Sequence, residues 1–103
     1  LFLCSRNRLR SPTAEAIFSG DPGLEVISAG INPDADNRVS ADEVEWADVI
    51  FVMEANHRRK LNKMFRSILQ GKRIVVLGIP DDFAYMDPNL VAILRGRVPQ
   101  HLH

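Results

Sequence analysis

The chain has 103 residues, of which 46% are hydrophobic and 25% charged, the composition of one small globular domain spanning 1–103 and not of a disordered chain. Lysine plus arginine equals aspartate plus glutamate at 13 each, so nothing in the balance argues for a general nucleic-acid or membrane-surface binder, and no apolar run is long enough to span a bilayer. The single cysteine excludes an internal disulfide and fits a reducing compartment or a reactive thiol.

The first predicted element is a strand over 1–4, too short and too poor in basic flank for a signal peptide. It starts inside apolar residues, so a few further residues are expected before it. A helix is predicted after Ser11-Pro12, with the serine hydroxyl as cap, an apolar face of Ala14, Ile17 and Phe18, and Gly20 as its end. A second strand is predicted over 24–28. Ser40-Ala41-Asp42-Glu43 matches a capping box for a short helix reaching Trp46, itself assigned to the core or the edge of a cleft. Strands over 48–53 and 73–77 are nearly continuous apolar runs, which suits parallel strands covered on both faces. Between them Leu61, Met64, Phe65, Ile68 and Leu69 make an amphipathic helical stripe ended by Gly71. Asp87-Pro88 caps a last helix whose inner face is Leu90, Ile93 and Leu94. No chemistry is assigned to His101 or His103.

Strands alternating with helices predict an α/β fold: three α/β/α layers around a four-stranded parallel sheet. Ligands of such sheets bind beyond the carboxyl ends of the strands, so a site is expected from the loops 4–11, 28–40 and 78–87.

The first of these loops carries the chemistry. It joins Cys4, at a strand end, to a helix N-terminus, where unpaired N–H groups and the helix dipole favour an anion, phosphate above all. A cysteine facing that cradle has its thiolate stabilised and becomes a nucleophile. Arg10 can fork onto two phosphate oxygens. The loop residues Ser5, Arg6, Asn7, Arg8 and Leu9 include no glycine, so Asn7 is the candidate for the positive φ that a cradle needs. His57, with Arg58, Arg59 and Lys60, reads as a solvated basic helix face or, less simply, a docking surface for an acidic partner.

The stretch "LFLCSRNRLRSPTAEAIF" resembles the opening of the low-molecular-weight protein tyrosine phosphatases: strand, cysteine, five residues, Arg-Ser-Pro and a helix with Ala-Glu. "VISAG" at 26–30, "ADVIFVMEANHRRKL" at 47–61 and "IPDDF" at 79–83 extend the resemblance in order along most of the chain. The resemblance implies metal-independent and cofactor-free hydrolysis of phosphate monoesters, phosphotyrosine in proteins first among them, by a cytoplasmic enzyme. It implies Cys4 as nucleophile, forming a phosphocysteine, Arg10 as binder of the phosphoryl oxygens, and Ser11 as hydrogen-bond donor to the sulfur. It implies Asn7 as holder of the loop shape with support from Ser28, and Asp81 as general acid and base. Asp82 stands where proline is usual and keeps a second candidacy for the acid. Phe83 and Tyr85 are expected as aromatic walls of the cleft. The partners implied are a phosphorylated protein or a small phosphomonoester, with no nucleic acid and no membrane.

The chain departs from the pattern in four places. Arg6 replaces a glycine and Arg8 an aliphatic residue; they either strengthen the local positive potential, favouring multiply charged substrates, or point to solvent. Leu9 replaces the second cysteine of many members, which precludes a protective disulfide. The segment between "SAG" and the third strand is short, and the histidine usual in that insert has no counterpart. Two alternatives stand beside hydrolysis: a non-catalytic phosphate- or phosphoprotein-binding module, and arsenate reduction, for which a thiol cascade lacks its further cysteines.

Overall fold

The computed structural model describes residues 1–102; His103 lies outside the described residues. In chain order it contains β1 (Phe2–Cys4), α1 (Arg10–Phe18), β2 (Ser28–Gly30), α2 (Ala41–Trp46), β3 (Val49–Val52), α3 (Ala55–Phe65), β4 (Arg73–Val76), α4 (Pro88–Arg97) and a 3-10 turn over Pro99–His101. The four strands form one parallel sheet in the order β2-β1-β3-β4, with Leu3 in register with Ala29 and Val52, and Phe51 with Val75.

Alternation along the strands splits the apolar residues into two cores. Leu3, Ile50 and Val52 pack with Val44 of α2 and Leu61 of α3 on one face. Phe2, Phe51 and Met53 pack with Ala14 and Phe18 of α1 and Leu90 and Leu94 of α4 on the other. Phe2 stacks on both Phe18 and Phe51, with ring centroids 5.7 and 5.1 Å apart. The three layers are those expected from the alternation of elements. The helix starts read from sequence also hold at α2, where Ser40 and Glu43 form a reciprocal capping box, and at α4, where Asp87 Oδ1 accepts from Asn89 N.

Four expectations need correction. β2 runs over Ser28–Gly30 and not over 24–28, because the pairing that defines it is with Phe2–Cys4 and begins only at Ser28. α1 begins at Arg10, with Leu9 as an N-cap that makes no side-chain capping bond, so Ser11 is free for another role. α3 ends at Phe65; Ile68 and Leu69 sit in the turns that follow, packed on the core, while Met64 is exposed. β4 is an edge strand, which leaves Val76 exposed although its run is as apolar as that of β3.

Candidate active site

The cradle loop is shaped by its neighbours on three sides. Asn7 takes φ 56°, the left-handed conformation that asparagine tolerates best among residues with a side chain. Its amide Nδ2 donates to Ser11 Oγ at 3.0 Å and Ser28 Oγ at 2.9 Å, which ties the loop to α1 and β2. The loop carbonyls turn toward the segment after β2: Ile31 N donates to Cys4 O at 2.9 Å, Asn32 N to Ser5 O at 2.9 Å and Asp36 N to Arg6 O at 3.0 Å. Gly30 permits this approach, since a Cβ there would lie 2.5 Å from Ala35 Cβ and 2.9 Å from Ser5 O. With the carbonyls so engaged, the N–H groups of Ser5 through Ser11 donate to no protein acceptor among the described residues. A run of unpaired N–H groups ending in a helix N-terminus is an anion site in chemical terms.

Cys4 lies at the foot of this loop, 3% exposed. Its sulfur is 3.0 Å from Ser11 Oγ, which also accepts from Asn7 and lies 3.2 Å from Ala29 O. A hydroxyl carries one proton. Ser11 therefore donates to Ala29 O while a Cys4 thiol donates to it, or turns the same proton to a Cys4 thiolate.

Arg10 is 1% exposed and is oriented by two acceptors on its Nη1: Glu54 Oε2 at 2.6 Å and Ile79 O at 2.8 Å. Its Nε lies 3.6 Å from Asp81 Oδ1. Nη2 makes no hydrogen bond among the described residues, yet no buried side-chain nitrogen there lacks a partner, so Nη2 opens on the cleft. The Arg10 bond holds the Glu54 carboxyl below the usual carboxylate range. Sequence reading missed Glu54. The signal was the topology itself: β3 is a fourth parallel strand, and the residues after it leave the same edge of the sheet as the three loops considered.

His57 is buried and not on a solvated face. Glu54 N donates to its Nδ1 at 3.1 Å, and its Nε2 lies 2.9 Å from Ser5 Oγ. An N–H aimed at Nδ1 makes that atom the acceptor, so the neutral ring carries its proton on Nε2 and donates it to Ser5. Burial first, and the nearby Arg10 second, lower its pKa to about 4. The basic run concealed this. Arg58, Arg59 and Lys60 are exposed, whereas His57 shares a helix face with the buried Leu61 four residues on.

Arg6 and Arg8 do not stand as free charges. Arg6 Nε lies 3.4 Å from Asp34 Oδ2, and Arg8 Nε 3.2 Å from Asp36 Oδ1. The three arginines of the loop thus face four carboxylates, Asp34, Asp36, Glu54 and Asp81. Of the two readings left open for Arg6 and Arg8, the surplus of positive potential is offset at the rim by these carboxylates, and the unpaired N–H groups remain as the main attraction for an anion.

The loop borders a cleft of about 570 Å³ lined by Cys4, Ser5, Arg6, Arg8, Leu9 and Arg10, together with Asn32 and Asp81. Asp81 is exposed; Asp82 is exposed as well but does not line the cleft. Asp87 is occupied as the cap of α4. Phe83 is half-buried against the core under α1 and α4, and Tyr85 is 53% exposed; neither lines the cleft. Asn32, unforeseen, enters because the segment after β2 folds against the cradle. Trp46 is 43% exposed and belongs to neither the core nor this cleft. It borders a cavity of about 580 Å³ at the other end of the sheet, whose charged lining residues are Glu25 and Asp48 and which holds no nucleophile. Such a lining repels phosphate.

No family model matches the sequence, and no curated protein matches it. Solved structures do match in fold. The YwlE arginine phosphatase from Geobacillus stearothermophilus is 20% identical, with a TM-score of 0.70 over 92% of this chain and 82% of that one. The tyrosine phosphatase Wzb from Escherichia coli K30, in complex with phosphate, is 19% identical with a TM-score of 0.73 over 92% and 88%. The low-molecular-weight protein tyrosine phosphatase from T. tengcongensis is 20% identical with a TM-score of 0.67 over 92% and 88%. The chain therefore has the fold of the low-molecular-weight protein tyrosine phosphatases.

Proposed function

We propose that the chain hydrolyses phosphate monoesters through a phosphocysteine on Cys4. One observation carries the reading: a buried thiol 3.0 Å from a hydroxyl sits at the foot of a loop whose N–H groups have no protein acceptor among the described residues, with Arg10 Nη2 open to the same cleft. Binding alone would need neither the nucleophile nor the poised hydroxyl, which sets the non-catalytic module aside. Arsenate reduction by a thiol cascade lacks its further cysteines, since Cys4 is the only one.

The chemistry divides as follows. The loop N–H groups and Arg10 hold the phosphoryl oxygens and match the charge of the transition state. The Cys4 thiolate attacks phosphorus, the ester P–O bond breaks, and Asp81 gives its proton to the leaving oxygen. Water then attacks the phosphocysteine, its proton passes to Asp81, and the P–S bond breaks to release phosphate. Ser11 donates to the departing sulfur. Asn7 and Ser28 hold the loop geometry, and Ser5, Arg6, Arg8 and Leu9 form the wall nearest the ester. Asp81 is preferred to Asp82 because it lines the cleft and lies 3.6 Å from Arg10.

The cancelled rim charge favours a substrate whose strong anion is the phosphoryl group itself. Leu9, 38% exposed on the cleft wall, offers an apolar contact to an aromatic leaving group such as phosphotyrosine. Phe83 and Tyr85 would join it only if the 78–87 loop moves toward the cleft. Hydrolysis of p-nitrophenyl phosphate, inhibited by vanadate, tests the reading. We expect turnover in the wild type and its loss to background in Cys4→Ser, with phosphate still bound. Turnover that persists in Cys4→Ser would overturn the proposal.

A further inference from the structure

The cradle contains a hydroxyl that the mechanism above does not use. Ser5 follows the nucleophile directly and lines the cleft. Its Oγ has one partner among the described residues, His57 Nε2 at 2.9 Å. Because Glu54 N donates to Nδ1, the ring can only donate at Nε2, and Ser5 Oγ can only accept there. The proton of the Ser5 hydroxyl is then left without a protein acceptor, on a residue that faces the anion site.

We propose that His57 is a positioning residue which orients the Ser5 hydroxyl so that it donates to an oxygen of the bound phosphoryl group. The buried ring acts through two bonds at once. Nδ1 takes the Glu54 N–H at the start of α3, which also sets Glu54 against Arg10 Nη1 at 2.6 Å. Nε2 turns Ser5. One imidazole thus holds two donors of the site: the serine hydroxyl directly, and the guanidinium through Glu54. A ring that is fully buried with both nitrogens engaged has no freedom to flip, so the orientation is held before any ligand arrives.

The inference rests on the phosphate-monoesterase reading for its place in a reaction, but its test does not need turnover. Inorganic phosphate binding to the full chain is measured by calorimetry, with thermal melting alongside. Ser5→Ala should weaken phosphate about tenfold, the scale of one hydrogen bond to a charged group, in addition to the fall in melting temperature from leaving the buried His57 Nε2–H without its acceptor; Ser5→Thr should restore both. The two amide replacements of the histidine separate its two bonds. The His57→Gln amide nitrogen falls near Nε2 and keeps the donor to Ser5. The His57→Asn oxygen falls near Nδ1 and keeps only the acceptor for Glu54 N–H. His57→Gln should therefore bind phosphate more tightly than His57→Asn, and Ser5→Ala should cost nothing further in the His57→Asn background. Unchanged affinity in Ser5→Ala, or a loss confined to the melting temperature, would make the pair a structural clamp and overturn the proposal. Absence of turnover with a Ser5-dependent phosphate site would sink the phosphatase reading and leave this one standing.

Discussion

Two loops meet over the cleft, and they are built on opposite plans. The cradle, 4–11, is bonded along its length: three carbonyls to the segment after β2, Asn7 to two hydroxyls, Ser5 to a buried histidine. The 78–87 loop has its hydrogen bonds to the rest of the fold near its ends, and its middle is held by little more than Phe83, half-buried on the core, and the Asp81–Arg10 pair at 3.6 Å. Ile79 N donates to Met53 O, Ile79 O accepts from Arg10, and Met86 N donates to Thr13 Oγ1. Between those anchors Pro80, Asp81, Asp82, Ala84 and Tyr85 are exposed. Few buried contacts and few backbone bonds are the physical content of low local stability. On the proposed mechanism the contrast is a division of labour: the element that would present many donors at fixed positions is over-determined, while the element that would deliver one proton is lightly held and free to adjust.

If that division is right, damage to the 78–87 loop should cost rate and not stability. We predict that Asp81→Asn lowers kcat by about 10²–10⁴-fold for esters with poor leaving groups, far less for p-nitrophenyl phosphate, and leaves the melting temperature in place. Equal loss on both substrates, or a fall in melting temperature, would break the comparison. Damage to the cradle should cost both. Asn7→Ala forces a left-handed alanine and removes two hydrogen bonds, so we predict a destabilisation of about 2–3 kcal/mol by denaturant titration, together with weakened phosphate binding.

Acid should act on the same loop. His57 is held neutral with a pKa lowered from 6.5 to about 4, so between those values the unfolded chain binds more protons than the folded one. Stability is therefore complete above pH 6.5 and falls as the pH drops through 4, by up to about 3 kcal/mol. Glu54, whose carboxyl is also lowered from 4.5 by Arg10, loses its contribution in the same direction as acid protonates it. We expect His57→Gln to flatten the fall measured by melting between pH 6.5 and 4; an unchanged slope would place the acid sensitivity elsewhere. The smallest effect belongs to the rim. The pair Arg6–Asp34 is more than half exposed, so Arg6→Ala should change stability by under about 0.5 kcal/mol and phosphate affinity by less than about twofold. A larger loss, specific to multiply charged substrates, would show that Arg6 releases Asp34 to meet them.

The amino-acid sequence by itself determined the alternating α/β plan, the placing of Cys4 between a strand and a helix, and the need for Asn7 to take the turn. Each follows from spacing and backbone sterics, which are local. The caps at Ser40 and Asp87 were legible for the same reason. What escaped it lies across the sheet. Local spacing reads Ser11 as a helix cap, and its place beside the sulfur was given by the family resemblance alone; the helix starts one residue earlier and the hydroxyl lies 3.0 Å from the sulfur. Arg6 and Arg8 read as either surplus charge or solvent-facing residues, and their partners Asp34 and Asp36 come from another loop. Glu54 and His57 read as the plain start of a basic helix, and only the order β2-β1-β3-β4, which puts β3 beside β1, brings their side chains under the cradle. Ion pairs and buried hydrogen bonds depend on distances between residues far apart in the chain, and those distances exist only once the sheet has assembled.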